Sequence, residues 1–139
     1  MKQAFHQVVV PTQGRGFYDI TDSVSRHLAA SLLTQGLATL HLQHTSASLL
    51  IQENADPNVR GDFDRFFAAL VPDGDPMFLH TEEGDDDMSA HIRTALTAVN
   101  LSIPFDQGRL CLGTWQGIYV WEHRARPHTR KVALHLLGE

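Results

Sequence analysis

The sequence predicts an α+β domain with about three helices and a mixed, largely antiparallel β-sheet or sandwich. Three observations carry that expectation. Two or three strands come early with a helix among them, two more helices follow, and four strands close the chain, which is not the order of a repeated βαβ unit. The late strands are short and joined by glycine-containing turns, the mark of antiparallel neighbours. With 139 residues, 42% hydrophobic and 19% charged, the chain has enough apolar surface for one core and too little for two. A single domain spanning 1–139 follows.

Gln3 to Val10 carries a β-branched run and reads as a first strand, with Pro11 ending it and Gly14 and Gly16 turning the chain. From Asp19 to Thr34, Ile20, Val24, Leu28 and Leu32 recur every four residues, an amphipathic helix with Thr21 or Asp22 as cap and Gly36 as stop. Leu37 to Thr45 switches to period two, so Ala38, Leu40, Leu42 and His44 share a face. Ala47 to Gln52 is extended. Asp56 and Pro57 then open a second helix whose stripe, Val59, Phe63, Phe66, Phe67 and Leu70, is expected in the core. Asp73 to Asp87 holds seven acidic residues, two glycines and a proline, and loops of this length inside a compact domain are commonly functional. Met88, Ile92, Ala95, Leu96 and Val99 mark a third helix with His91 at its edge. The remainder is extended: Leu101 to Phe105, a turn at Asp106-Gln107-Gly108, Arg109 to Gly113, Gly117 to Arg124 and Lys131 to Leu137. Tyr119, Trp121 and His123 share one face of the penultimate strand, opposite Ile118, Val120 and Glu122.

Composition narrows the function classes. Eleven Lys and Arg against sixteen Asp and Glu give a net charge of -5, so no basic field is available to hold nucleic acid. No apolar run approaches the roughly 18 to 20 residues of a membrane span, and Met1 to Pro11 lacks the layout of a signal peptide, so a soluble cytoplasmic protein is expected. The single Cys111, between Leu110 and Leu112, excludes an intrachain disulfide and a thiolate zinc cluster, and is expected to be buried. Nine histidines stand out, and imidazole is the side chain best suited to bind metal or move protons near neutral pH.

Several constellations concentrate chemistry. His44-Thr45-Ser46-Ala47-Ser48 sets an imidazole and three hydroxyls at a strand end, suited either to anions and metal or to local side-chain-to-backbone turns. His80, Glu82, Glu83, Asp85, Asp86, Asp87 and His91 combine two imidazoles with five carboxylates, either a metal-binding region or a solvated acidic loop with a helix cap. Asp87 stands one helical turn before His91 and on its face, where a carboxylate can orient a ligating imidazole. No HExxH, paired CxxC or EF-hand spacing names a metal, so any site is assembled from distant segments. Gly113-Thr114-Trp115-Gln116-Gly117 brackets polar groups between glycines, for ligand approach or for a hairpin. In Glu53-Asn54-Ala55-Asp56-Pro57 the last two residues start a helix, leaving Glu53 and Asn54 as polar candidates.

The ordered set of His44 to Ser48, Glu53 to Pro57, Glu83-Gly84-Asp85-Asp86-Asp87-Met88 with His91, Gly113 to Ile118 and Leu137-Gly138-Glu139 resembles the YjbQ-like family over essentially the whole chain. Trp121-Glu122-His123-Arg124 is similar to some bacterial members. The resemblance implies a small α+β domain assembling as a homotrimer, with metal and anion sites near subunit boundaries. It also implies a secondary thiamine-phosphate synthase, joining hydroxymethylpyrimidine diphosphate to thiazole phosphate with release of diphosphate. Carried over by position, His44, His80 and His91 become metal ligands, for zinc foremost and for magnesium with a diphosphate substrate, and Asp87 a supporting or fourth ligand. Thr45, Ser46, Ser48, Thr114 and Gln116 would hold phosphate or polar substrate groups, with Arg124 balancing anionic charge. Two alternatives stand beside the synthase: metal-assisted hydrolysis of a small phosphorylated substrate with Glu53 or Asp87 as base, and a noncatalytic trimer binding metal or a phospho-ligand.

Overall fold

The computed structural model describes all residues, Met1–Glu139. Eight strands and three helices follow in the order β1 (Lys2–Thr12), β2 (Gly16–Asp19), α1 (Thr21–Ser31), β3 (Gly36–Leu42), β4 (Ala47–Glu53), α2 (Pro57–Leu70), α3 (Asp87–Leu96), β5 (Asn100–Asp106), β6 (Arg109–Leu110), β7 (Gln116–Glu122) and β8 (His128–Gly138). They form two sheets, β1-β8-β3-β5-β6 and β2-β7-β4. Every ladder pairing is antiparallel, so the α+β expectation holds without a parallel component.

The alternation along the strands explains the layering. Val8 and Val10 of β1, Ala38, Leu40 and Leu42 of β3, Ile103 and Phe105 of β5, and Val132, Leu134 and Leu136 of β8 turn one face of the large sheet inward. Ala47 and Leu49 of β4 and Ile118 and Val120 of β7 meet them from the small sheet, and Ile20, Val24 and Leu28 of α1 complete the same cluster. The opposite face of β7 carries Tyr119 and Trp121. Phe17 of β2 and Phe63 and Phe67 of α2 pack edge-on or tilted against them, with centroids 4.8 to 5.7 Å apart.

Several expectations need correction. β1 runs on through Pro11 to Thr12, because β1 is an edge strand and proline costs no ladder bond on its open side. Gly36 does not stop α1. Leu32 does, at a left-handed φ of 62°, which swings its side chain to 85% exposure and leaves Leu33 in the core. The cap expected of Thr21 or Asp22 is absent; instead Asp19 Oδ1 accepts from the Thr21 N–H. Gly36 and Gly138 pair backbone to backbone, where a Cβ on either would lie 2.0 Å from a carbonyl oxygen, and this accounts for the glycine in the terminal Leu137-Gly138-Glu139 motif.

Helices α2 and α3 depart furthest. Asp56 caps α2 as expected, its Oδ1 accepting from the Asn58 N–H 2.9 Å away, but no residue of α2 is buried, and Phe66 and Leu70 are largely exposed. Helix α3 buries Asp87, Ser89, Ala90, Arg93 and Thr94 and leaves Leu96 in solvent. Its inward face is its polar one. Cys111 is exposed rather than buried, since it follows the short β6 outside the ladder. No helix is long and apolar enough to cross a membrane.

Candidate functional site

The site grows from the N-terminus of α3. Asp87 is 2% exposed, and its Oδ2 lies 2.6 Å from His80 Nε2 and 3.3 Å from His91 Nε2. The His91 contact is the i,i+4 pair read from the sequence; the His80 contact depends on the acidic loop folding back, with His80 and His91 rings 5.6 Å apart. Arg124, just beyond β7, fixes the carboxylate from behind. Its Nη1 donates to Asp87 Oδ1 at 2.8 Å, its Nε to Asp86 Oδ2 at 3.0 Å and its Nη2 to the Glu83 carbonyl at 2.9 Å. Burial opposes the charge on Asp87, but the hydrogen bond from His80 and the charge of Arg124 outweigh it and hold the carboxyl below the ordinary carboxylate range.

His91 is oriented by its other nitrogen. The Thr45 carbonyl, 2.9 Å from His91 Nδ1, can only accept, so Nδ1 carries a hydrogen and Nε2 is the nitrogen left to face Asp87. An imidazole whose second nitrogen donates to a backbone carbonyl is the usual state of a metal-ligating histidine. The donor atoms of His80, Asp87 and His91 all lie within 4.8 Å of one another, a set that fits a divalent ion with positions left open.

His44 is outside this group, contrary to its expected place among the ligands. It lies in the loop between β3 and β4, exposed, and its Nδ1 accepts from the Ser46 N–H at 3.2 Å and lies 3.1 Å from Ser46 Oγ. Ser46 is itself buried and accepts from Arg130 Nη2 at 2.9 Å. Arg130 is 2% exposed and forms an ion pair with the buried Glu122, its Nη2 donating to Oε2 at 2.5 Å and its Nε to Oε1 at 2.8 Å. Thr12 Oγ1 donates to Oε1 at 2.6 Å. Burial raises the Glu122 pKa, yet these bonds hold it below its ordinary value. Burial, then the charges of Arg130 and His128, push the His44 pKa down.

Other candidates fall elsewhere. Ser46 and Ser48 are buried, and Ser48 is committed to His123, its Oγ 2.8 Å from Nε2, so neither faces a substrate. Arg124 is wholly engaged by the acidic loop. Thr45 is exposed and contributes its carbonyl to His91. Glu53, Asn54, Thr114 and Gln116 gather at the opposite end of the small sheet, where the Asn54 N–H donates to the Trp115 carbonyl and Gln116 Oε1 accepts from the Gly113 N–H. The β4–β7 register pairs Ala47 with Glu122 and Glu53 with Gln116, so the two ends lie six residues apart, roughly 20 Å along the strands. Glu53, whose Oε2 accepts from the Asp56 N–H, is therefore no base for chemistry at Asp87 within one chain.

Sequence reasoning passed over Glu122, Arg130, Arg126 and His128. The signal for the first two was present: each charge occupies the apolar face of its strand, Glu122 beside Ile118 and Val120, Arg130 beside Val132 and Leu134. A polar cleft of about 640 Å³ opens beside the centre, between the Thr81–Gly84 turn and Arg124, Arg126, Pro127 and His128. His128 Nδ1 donates to the Arg126 carbonyl at 2.8 Å.

Fold and site thus define a small α+β protein of two packed antiparallel sheets with an imidazole and carboxylate cluster where a loop, a helix and a strand end converge. The chain belongs to the UPF0047 (YjbQ-like) family, whose model matches residues 6–139. It is 49% identical over 132 residues to a UPF0047 protein of Synechocystis, covering 95% of this chain and 90% of the relative. It is 44% identical to YjbQ of Salmonella typhimurium over 95% and 96% of the two chains. Among solved structures, a YjbQ/UPF0047 protein of Clostridium acetobutylicum superposes with a TM-score of 0.87 at 32% identity, covering 95% of this chain and 99% of that one. A conserved hypothetical protein of Thermus thermophilus gives 0.85 at 36% identity with the same coverage.

Proposed function

We propose that this protein is a metal-dependent enzyme acting on a small phosphorylated substrate, with His80, Asp87 and His91 as the metal's ligands. The observation that carries this reading is the convergence of two imidazole Nε2 atoms on one buried carboxylate oxygen, with the other nitrogen of His91 held by a backbone carbonyl. Zinc suits two imidazoles and a carboxylate; magnesium prefers an all-oxygen set. A bound zinc ion would supply an electrophilic centre that polarises a phosphate oxygen or a water.

The chain's own residues supply the rest. Arg124 keeps Asp87 ionised and aimed. Glu83, its carboxylate 3.7 Å from His80 Nε2 and largely exposed, stands at the rim to take the proton of an attacking water. In hydrolysis the water oxygen bonds to phosphorus, the ester P–O bond breaks, and the departing oxygen is protonated from solvent. Joining hydroxymethylpyrimidine diphosphate to thiazole phosphate would draw on the same centre to stabilise departing diphosphate, but imidazole donors favour hydrolysis as the evolved reaction.

Assembly as a homotrimer belongs to this proposal. It is supported by α2, a 14-residue helix with nothing buried, and by the exposure of Phe66, Leu70, Met77, Leu79 and Trp115. A cytoplasmic location is part of the same reading.

The test is the metal content of protein purified without added metal, beside His91→Ala and His80→Ala variants. Near-stoichiometric zinc in the wild type, lost in both variants with circular dichroism unchanged, is the expected result. Zinc retained by both variants would remove the centre from this place.

A further inference from the structure

We propose that His44 is a hydrogen-bond donor to an anionic oxygen of the substrate, and not a ligand of the metal. The inference deepens the function proposed above and rests on it for the metal beside which that oxygen would sit. Its argument is a proton inventory. A backbone N–H can only donate, so the Ser46 N–H at 3.2 Å requires His44 Nδ1 to accept. Ser46 Oγ already accepts from Arg130 Nη2, which leaves its own hydrogen free to point at the same Nδ1, 3.1 Å away. Nδ1 therefore holds no hydrogen, and in the neutral ring the hydrogen sits on Nε2.

His91 is the mirror case: its Nδ1 donates to Thr45, the residue after His44, and its Nε2 faces Asp87. Two neighbouring imidazoles thus use Nδ1 in opposite senses around the same short loop, one accepting and one donating. A metal on His44 Nε2 would require loss of that hydrogen, whereas an oxyanion there gains it as a bond. Ser46 is a positioning residue, held by Arg130, which Glu122 in turn holds by two charge-assisted bonds across the sheets. The ligand class is a phosphate or phosphonate oxygen, reached from the groove that His44 lines with Gln43, Thr45 and Thr94; the cleft at Arg126 and His128 is a separate one that Glu82 and Glu83 also line.

The assignment is tested on the metal-loaded protein with inorganic phosphate as probe, alongside zinc affinity by equilibrium dialysis and histidine 15N NMR. His44→Ala is expected to weaken phosphate binding on the order of ten- to hundredfold, the range for a hydrogen bond to a charged group. His44→Gln, whose amide N–H reaches a similar place, restores most of it, and His44→Glu does not. Zinc affinity stays at the wild-type level in all three, and the spectra show a bare Nδ1 on His44. A His44→Ala loss of zinc as large as that of His91→Ala, a hydrogen on His44 Nδ1, no phosphate binding by the wild type, or failure of Gln to rescue would each overturn the proposal. If the wild type takes up no zinc, the metal centre falls, and the phosphate arm and tautomer still decide the role of His44.

Discussion

His123 shows how much a single buried side chain contributes to the pH dependence of this fold. It is fully buried, bonded to Ser48, and burial foremost, with the charge of Arg93 next, pushes its pKa from 6.5 to about 3. Above 6.5 the ring is neutral folded or unfolded and its contribution is complete. As the pH falls below 6.5 the unfolded chain takes up a proton that the folded chain refuses. Stability is then lost by up to about 1.4 kcal/mol per pH unit until the pH reaches about 3. His27 and His44, also lowered, act in the same direction. The depressed carboxyls Asp86, Asp87 and Glu122 lose their contributions only below their ordinary values of 3.8 and 4.5. Urea unfolding between pH 7.5 and pH 5, at fixed protein concentration, is expected to show a falling midpoint, and His123→Gln to flatten that slope; an unchanged slope would mean that His123 does not carry it. At this scale the Asp87 and His91 pair was legible because helical spacing is local. The state of His44 was not, because Arg130, which sets its Ser46 partner, lies 84 residues beyond that serine.

Helices α2 and α3 separate what periodicity reveals from what it leaves open. Spacing identifies the residues that share a face, and it found both helices and the Asp56 cap. It does not say what stands opposite. In α2 the apolar stripe meets only the Phe17, Tyr119 and Trp121 layer and is otherwise bare; in α3 the small and polar side packs against β4, where Thr94 Oγ1 donates to the Ala47 carbonyl at 3.4 Å. Two outcomes follow. Asp56→Ala removes the bond to Asn58 and is expected to cost about 1 kcal/mol in chemical unfolding. Phe66→Ser removes apolar surface that is 62% exposed in one chain, so it is expected to leave the circular dichroism of the subunit unchanged while shifting the mass measured by light scattering from that of the proposed trimer toward 15.5 kDa. A trimer that survives this substitution would place the interface on another face.

At the scale of the molecule, the two polar ends of the small sheet, roughly 20 Å apart, read as halves of one site if a neighbouring subunit brings Asn54, Thr114 and Gln116 to the cleft beside Asp87. Mixed trimers of His91→Ala and Gln116→Ala chains are then expected to recover part of the phosphate binding that each variant lacks alone, measured after joint refolding; no recovery would assign the ends separate roles. The architecture was legible from element order and alternation, and what pairs with what was not, since β3 lies between β8 and β5 through contacts far apart in sequence. One of those pairings reaches further. Strand β1 runs beside β8 from Lys2 opposite Gly138 to Thr12 opposite His128. The first and last strands are therefore permanent neighbours, and a short peptide joining them would close the chain into a ring. Reopened at the Gln107-Gly108 turn, such a circular permutant should keep the same sheets and the same His80, Asp87 and His91 cluster, with a new folding order imposed on an unchanged native state.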